Sequence, residues 1–176
     1  MANREALREL QTRLASRLQA ARSEGVSASW LAVKSGSANY LFPLAQSGEI
    51  FPLANLQPVP YARGWFMGVV NLRGGLYGVV DLAGFIDDGS ARPRTEQVLA
   101  ESSVITLNAS MDVNCALLVE GLAGLRNAEA FTGSQAPPAG SPPFFGNCFT
   151  DTQGISWQEI NLRSLSQLPA FLSIST

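Results

Sequence analysis

From Trp30 to Asn161 the chain is written in short apolar runs or period-two alternation, each cut off within a few residues by Gly, Pro or Asn. That pattern leaves little room for long helices and calls for strands joined by tight connections. Strands are expected at residues 30–34, 40–44, 69–72, 76–82, 103–107, 114–120, 144–150 and 155–161. So many short strands imply an all-β barrel or sandwich. Gly36 with Asn39 nearby, and the segment from Asp151 to Gly154, carry turn chemistry, Gly154 supplying the positive φ of a hairpin. Residues 132–143, with Pro137, Pro138, Pro142 and Pro143, are expected to form a flexible loop inside the second half.

The two ends break this rule. Residues 3–24 place Leu7, Leu10, Leu14 and Leu18 along one helical face, and Gly25 ends the helix. The opposite face sets Arg4, Arg8, Arg13, Arg17 and Arg22 against Glu5, Glu9 and Glu24, a local excess of positive charge. Such a helix either docks on its own core or offers a narrow leucine seam to a partner or membrane surface. Residues 162–172 repeat helical spacing through Leu162, Leu165, Leu168, Phe171 and Leu172, with Pro169 set to kink or stop the helix over a barrel mouth. The division expected is an amphipathic helix over residues 1–25 and one two-lobed domain over 26–176.

At 176 residues, 46% hydrophobic and 15% charged, the chain can close its core without disulfides or metal. A net charge of −2 provides no general attraction to phosphate backbones or anionic lipid, so nucleic acid is not expected as a partner. Cys115 and Cys148 are far apart, outside any CxxC pattern, and are expected to be buried, reduced thiols. No stretch approaches the roughly 18 consecutive apolar residues of a membrane span, so the expectation is a soluble cytoplasmic protein without membrane insertion.

Histidine is absent, which removes Ser-His-Asp and Cys-His catalysis, a phosphoryl-accepting histidine and histidine metal sites. The single lysine, Lys34, follows no glycine-rich phosphate loop and is expected at the surface. Asp87-Asp88, followed by Gly89, is expected to be a turn rather than a catalytic pair, and Gly74, Gly75 and Gly78 are hairpin glycines rather than a dinucleotide fingerprint. No catalytic, cofactor-binding or metal site is expected, and no small-molecule substrate.

The most distinctive stretch runs from Gly68 to Leu82, Gly-Val-Val-Asn-Leu-Arg-Gly-Gly-Leu-Tyr-Gly-Val-Val-Asp-Leu. Val69-Val70 and Val79-Val80 are expected as the buried centres of two strands, with Arg73 at the tip of the connection. Gly68, Asn71, Leu72, Arg73, Gly74, Asp81 and Leu82 together resemble the hallmark of the CheW-like family. Gly48-Glu49-Ile50, Val59-Pro60, Leu118 to Gly121, and Gly154-Ile155 through Ile160-Asn161-Leu162 extend that resemblance from about Trp30 to Leu172. The chain departs from the pattern at Ser47, at Gly78 and at Arg63, where the family carries an aliphatic residue, a proline and a proline.

The resemblance implies two intertwined SH3-like five-stranded β-barrels. It implies a non-catalytic adaptor between the cytoplasmic tip of a chemoreceptor and the regulatory domain of a CheA-type histidine kinase, recruited to receptor arrays at the membrane. On the matched positions, Glu49 would pair with Arg73 and hold the loop, and Gly68 and Gly74 would admit a receptor helix. Ile50, Val69 and Val70 would line the groove or the core beneath it, beside Asn71. The leading helix and the diverged first barrel look like the PilI branch, which serves type IV pilus twitching, with flagellar chemotaxis as the alternative. Two other readings compete: a ligand-binding barrel whose cavity is lined by Trp65, Phe66, Phe144, Phe145 and Trp157, and an enzyme using Asp81 or Glu120.

Overall fold

The computed structural model describes residues 2–24, 29–87 and 94–175, with first-helix side chains described over residues 3–16. Helix α1 (Ala2–Glu24) leads into β1 (Trp30–Ser35), β2 (Ala38–Pro43) and β3 (Ser47–Pro52). The hairpin of β4 (Phe66–Leu72) and β5 (Gly75–Asp81) is followed by α2 (Leu82–Asp87) and α3 (Glu96–Glu101). Then come β6 (Ser103–Leu107), β7 (Cys115–Val119), β8 (Gly121–Arg126), β9 (Phe131–Gln135), β10 (Phe145–Asp151) and β11 (Ser156–Ile160). Helices α4 (Leu162–Gln167) and α5 (Pro169–Leu172) close the chain.

The strands form two sheets, ordered β8-β1-β2-β11-β10-β9 and β3-β6-β7-β5-β4, which build the two SH3-like lobes. The first sheet draws strands from both ends of the domain, while the second is a continuous insertion between β2 and β8. That is the sense in which the lobes are intertwined. Each sheet contains one parallel pair, β11 with β2 and β5 with β7, where chain segments distant in sequence are brought together.

Period two explains the packing. Along β7, Cys115, Leu117 and Val119 enter a core shared by both sheets, while Ala116 and Leu118 enter a second core inside the second lobe. Along β1, Leu31 and Val33 face the shared core and Ala32 faces a third, inside the first lobe. Strands buried on both faces read as unbroken apolar runs. Leu162, Leu165 and Phe171 carry α4 and α5 into the shared core, so the C-terminal helices help to join the lobes. Pro169 acts as expected, except that it opens α5 at its first turn after the break at Leu168.

Several elements differ from the sequence expectation. Strands β3, β8 and β9 were not anticipated. β3 and β8 hold glycines or prolines that argue against strand locally, and both owe their extended form to pairing with distant β6 and β1. β9 takes up residues 132–135 of the expected flexible loop by pairing with β10. Leu82 begins α2 instead of ending a strand, and Leu44 lies in a short 3-10 turn. Cys148 is only half-buried, while Cys115 is 5% exposed in the shared core. Burial alone pushes the Cys115 thiol up to about 12.

The turn after β10 forms as expected. Gly154 has φ of 80°, and Asp151 Oδ1 accepts from the Gln153 and Ile155 amides at 2.8 and 2.9 Å. The Trp157 indole donates to the other carboxylate oxygen at 3.0 Å. These donors hold the Asp151 carboxyl below its ordinary pKa, the Trp157 bond contributing most. The helix stop at Gly25, the side chains of Arg17, Leu18 and Arg22, and the turn at Asp88-Gly89 lie outside the described residues.

Candidate functional site

The Arg73 turn is built by backbone geometry. Leu72 pairs with Gly75, so Arg73 and Gly74 are the two central residues, with φ of 51° and 81°. Two consecutive positive φ values are the mark of a type I′ hairpin, whose twist matches the flanking strands. Gly74 tolerates this freely, and Asn71 Oδ1 accepts from its amide at 3.0 Å. Arg73 is the strained member, a non-glycine residue held in the left-handed region.

Glu49 reaches Arg73 through a bulge in β3. Ser47 pairs with Leu107 and Ile50 with Ile105, so three steps along β3 match two along β6. The extra residue turns Glu49 outward while Ile50 stays 6% exposed in the shared core. Gly48 is required there, because a Cβ would lie 2.0 Å from Thr106 Oγ1. That same hydroxyl accepts from the Glu49 amide at 2.7 Å. Arg73 Nε stands 3.1 Å from Glu49 Oε2, with side chains 70% and 37% exposed, and its guanidinium lies 5.8 Å from the Phe51 ring centre.

The remaining residues expected at the site separate into distinct roles. Val70 is core at 2% exposure and Val69 is half-buried. Gly68 does not offer space to a partner helix. Its φ is 140°, and a Cβ would lie 2.3 Å from the carbonyl oxygen of Gln57, which is bridged to Val69 by two 2.8 Å backbone hydrogen bonds. The space beside Gly68 is thus filled by the chain's own 57–58 segment. Arg73, Gly74, Asn71 and Glu49 are the expected positions that stay at the surface.

Helix α1 lies on its own domain. Leu14 is buried at 4%, and buried Gln11 donates to the Ser103 hydroxyl. The leucine stripe is only partly used, Leu7 being half-buried and Leu10 40% exposed. A groove of about 570 Å³ runs between α1 and β3, with Arg73 and Glu49 at its edge, and a second of about 470 Å³ lies on the far side of the same pair.

Asp81 and Glu120 belong to a different construction, which centres on Arg94. Arg94 Nη1 and Nη2 donate to the two Asp81 oxygens, and its Nε donates to Glu120 at 2.9 Å. Burial works to lower the Arg94 pKa, but the hydrogen bonds and charges of Asp81 and Glu120 outweigh it and hold it above the usual value. Both acids proposed for an enzyme are therefore tied to one guanidinium. Arg94 is not legible from the sequence, since nothing in Arg-Pro-Arg-Thr distinguishes a buried arginine from a solvated one.

The rings suggested for a ligand cavity are packing. Trp65 stacks on Phe171 with centroids 6.1 Å apart, and Phe85 sits edge-on to Trp65 at 4.9 Å. Phe144 is 2% exposed and packs on Phe85 and Phe145, while Phe66 meets Trp65 edge-on. Trp157 lies in the first-lobe core. Lys34 is exposed. Among the described residues, no helix is long and apolar enough to cross a membrane.

The chain is 26% identical over 166 residues to Protein PilI of Pseudomonas aeruginosa, covering 93% of this chain and 89% of that protein. Its fold is similar to the crystal structure of the scaffolding protein TtCheW from Thermoanaerobacter tengcongensis, with a TM-score of 0.64, 15% identity, and coverage of 82% of this chain and 96% of that one. The family model for the CheW-like domain matches residues 29–169. With that match covering both lobes and the Arg73 turn, the chain belongs to the CheW-like domain family.

Proposed function

We propose that this protein is a non-catalytic adaptor coupling a methyl-accepting chemoreceptor-like protein to a CheA-type histidine kinase in a type IV pilus twitching system. The observation that carries this reading is the Glu49–Arg73 pair, a strained and exposed arginine braced by an acid that a β-bulge turns toward it. An exposed pair of this kind adds little to folding, about 0 to 1 kcal/mol, so holding Arg73 in the left-handed region makes sense as presentation of a recognition surface. Similarity to Protein PilI supports the pilus branch over flagellar chemotaxis. The protein would work in the cytoplasm, recruited to membrane receptor arrays, with the receptor tip and the kinase regulatory domain as partners and no small-molecule substrate.

Reconstitution tests it. Receptor fragment, kinase and this chain from one organism are mixed, and kinase autophosphorylation is followed. The wild-type chain is expected to place the kinase under receptor control and Arg73→Glu to abolish that control with the fold intact by circular dichroism. Unchanged control by the variant overturns the reading.

A further inference from the structure

Helix α1 and strand β3 face each other across the groove of about 570 Å³. On the helix side Arg8, Thr12 and Ser16 stand four apart and so fall on one exposed face. Thr12 and Ser16 are short, which keeps the groove open. On the other side lie residues 48–52, with Arg73 completing the wall. The helix wall is anchored, because Leu14 is buried in the shared core and Gln11 is hydrogen-bonded to Ser103 on β6.

The charge of the groove is one-sided. Glu49 is engaged by Arg73, whereas Arg8 has no ion-pair partner among the described residues. Two guanidinium groups and one engaged carboxylate leave an excess of positive charge, complementary to an acidic partner. One wall is a helix and the other a strand, a setting that suits an amphipathic helix laid between them.

We propose that α1 is the second wall of the docking groove, and that a partner helix with a carboxylate-bearing flank lies between α1 and β3 with Arg8 and Arg73 facing its acids. This rests on the adaptor reading and deepens it, because it gives the leading helix a part in partner recognition. A helix that merely capped the domain would leave Arg8 without a role in binding. A helix that blocked the site would weaken binding by its presence.

The test uses the full chain and synthetic amphipathic helices of about 20 residues, long enough to span roughly 30 Å, sharing one leucine stripe but flanked by Glu, Gln or Lys. Fluorescence anisotropy is expected to rank Glu above Gln above Lys, with the Glu peptide roughly tenfold tighter than the Lys peptide and the gap narrowing with salt. Arg8→Glu is expected to remove that preference, and Thr12→Trp, which fills the groove without changing charge, to abolish binding. Equal affinity for all three peptides, an unaffected Arg8→Glu variant, or tighter binding when α1 is loosened by Leu14→Ser each overturns the proposal. In the kinase assay, loss of control by Arg73→Glu but not by Arg8→Glu rejects this inference and leaves the adaptor reading standing. Full control by both variants rejects the adaptor reading itself.

Discussion

Arg94 and Asp81 meet through two parallel hydrogen bonds, Nη1 to Oδ2 at 2.7 Å and Nη2 to Oδ1 at 2.8 Å, with side chains 5% and 1% exposed. Glu120, the residue that follows β7, takes a third bond from the same guanidinium, so one side chain ties the end of β5 and the exit of its neighbour β7 to the segment before α3. Arg94→Met would leave the Asp81 carboxylate buried without its cation. Breaking a buried pair from one side costs about 3–5 kcal/mol, and urea unfolding should show a loss of that size. Adding Asp81→Asn should recover part of it. An unchanged midpoint for Arg94→Met would show that the clamp does not hold these strands.

The other arginine pair should behave in the opposite way. Arg73 and Glu49 are exposed, so Arg73→Glu is expected to alter stability by no more than about 1 kcal/mol while removing receptor control of the kinase. The exchanged pair, Arg73→Glu with Glu49→Arg, should restore little coupling, because the guanidinium no longer sits at the turn. Full recovery by the exchange would mean that the pair matters only as a brace.

Two glycines of the same hairpin should differ in their tolerance. Gly68→Ala places a Cβ against the Gln57 carbonyl at a φ of 140°, where side chains are rarely accommodated, and should destabilise by at least about 2 kcal/mol. Gly74→Ala meets no atom within 4 Å and carries only the strain of its positive φ, about 1 kcal/mol. Denaturant midpoints in that order support the 57–58 strap as the reason for Gly68, and equal losses would count against it.

Alkaline pH should loosen the shared core through Cys115. Its folded thiol is pushed up to about 12 from an ordinary 9.0, so over that range the folded chain keeps a proton that the unfolded chain gives up. Stability from this group is therefore fully present below the ordinary value and declines by about 1.4 kcal/mol per pH unit from there until the folded thiol itself ionises at about 12. Cys115→Ala should show a flatter alkaline limb than wild type, and half-buried Cys148 should react with a thiol reagent before Cys115 does.

Much of the fold was legible because period two survives into the structure. Strand β6 matched its expected span, and β1, β5, β7, β10 and β11 shifted by a residue or so at their ends. The Asp151 to Gly154 turn was readable because its residues make the turn themselves. β3 and β8 were illegible for the converse reason, since Gly48, Pro52 and Gly121 disfavour strand locally and only pairing with distant partners extends them.

The candidate site divides along the same line. The chain alone determined a tight hairpin with a cation at its tip, because Asn71, Gly74 and their spacing have a conformational preference of their own. Only the tertiary structure decided that Glu49 would reach that cation, that Gly68 would be spent on the domain's own strap, and that Arg94 would lie buried between two acids. Those outcomes depend on a bulge, a bridge and an ion cluster joining segments far apart in sequence, and a contact between distant segments has no energy until the fold has brought them together.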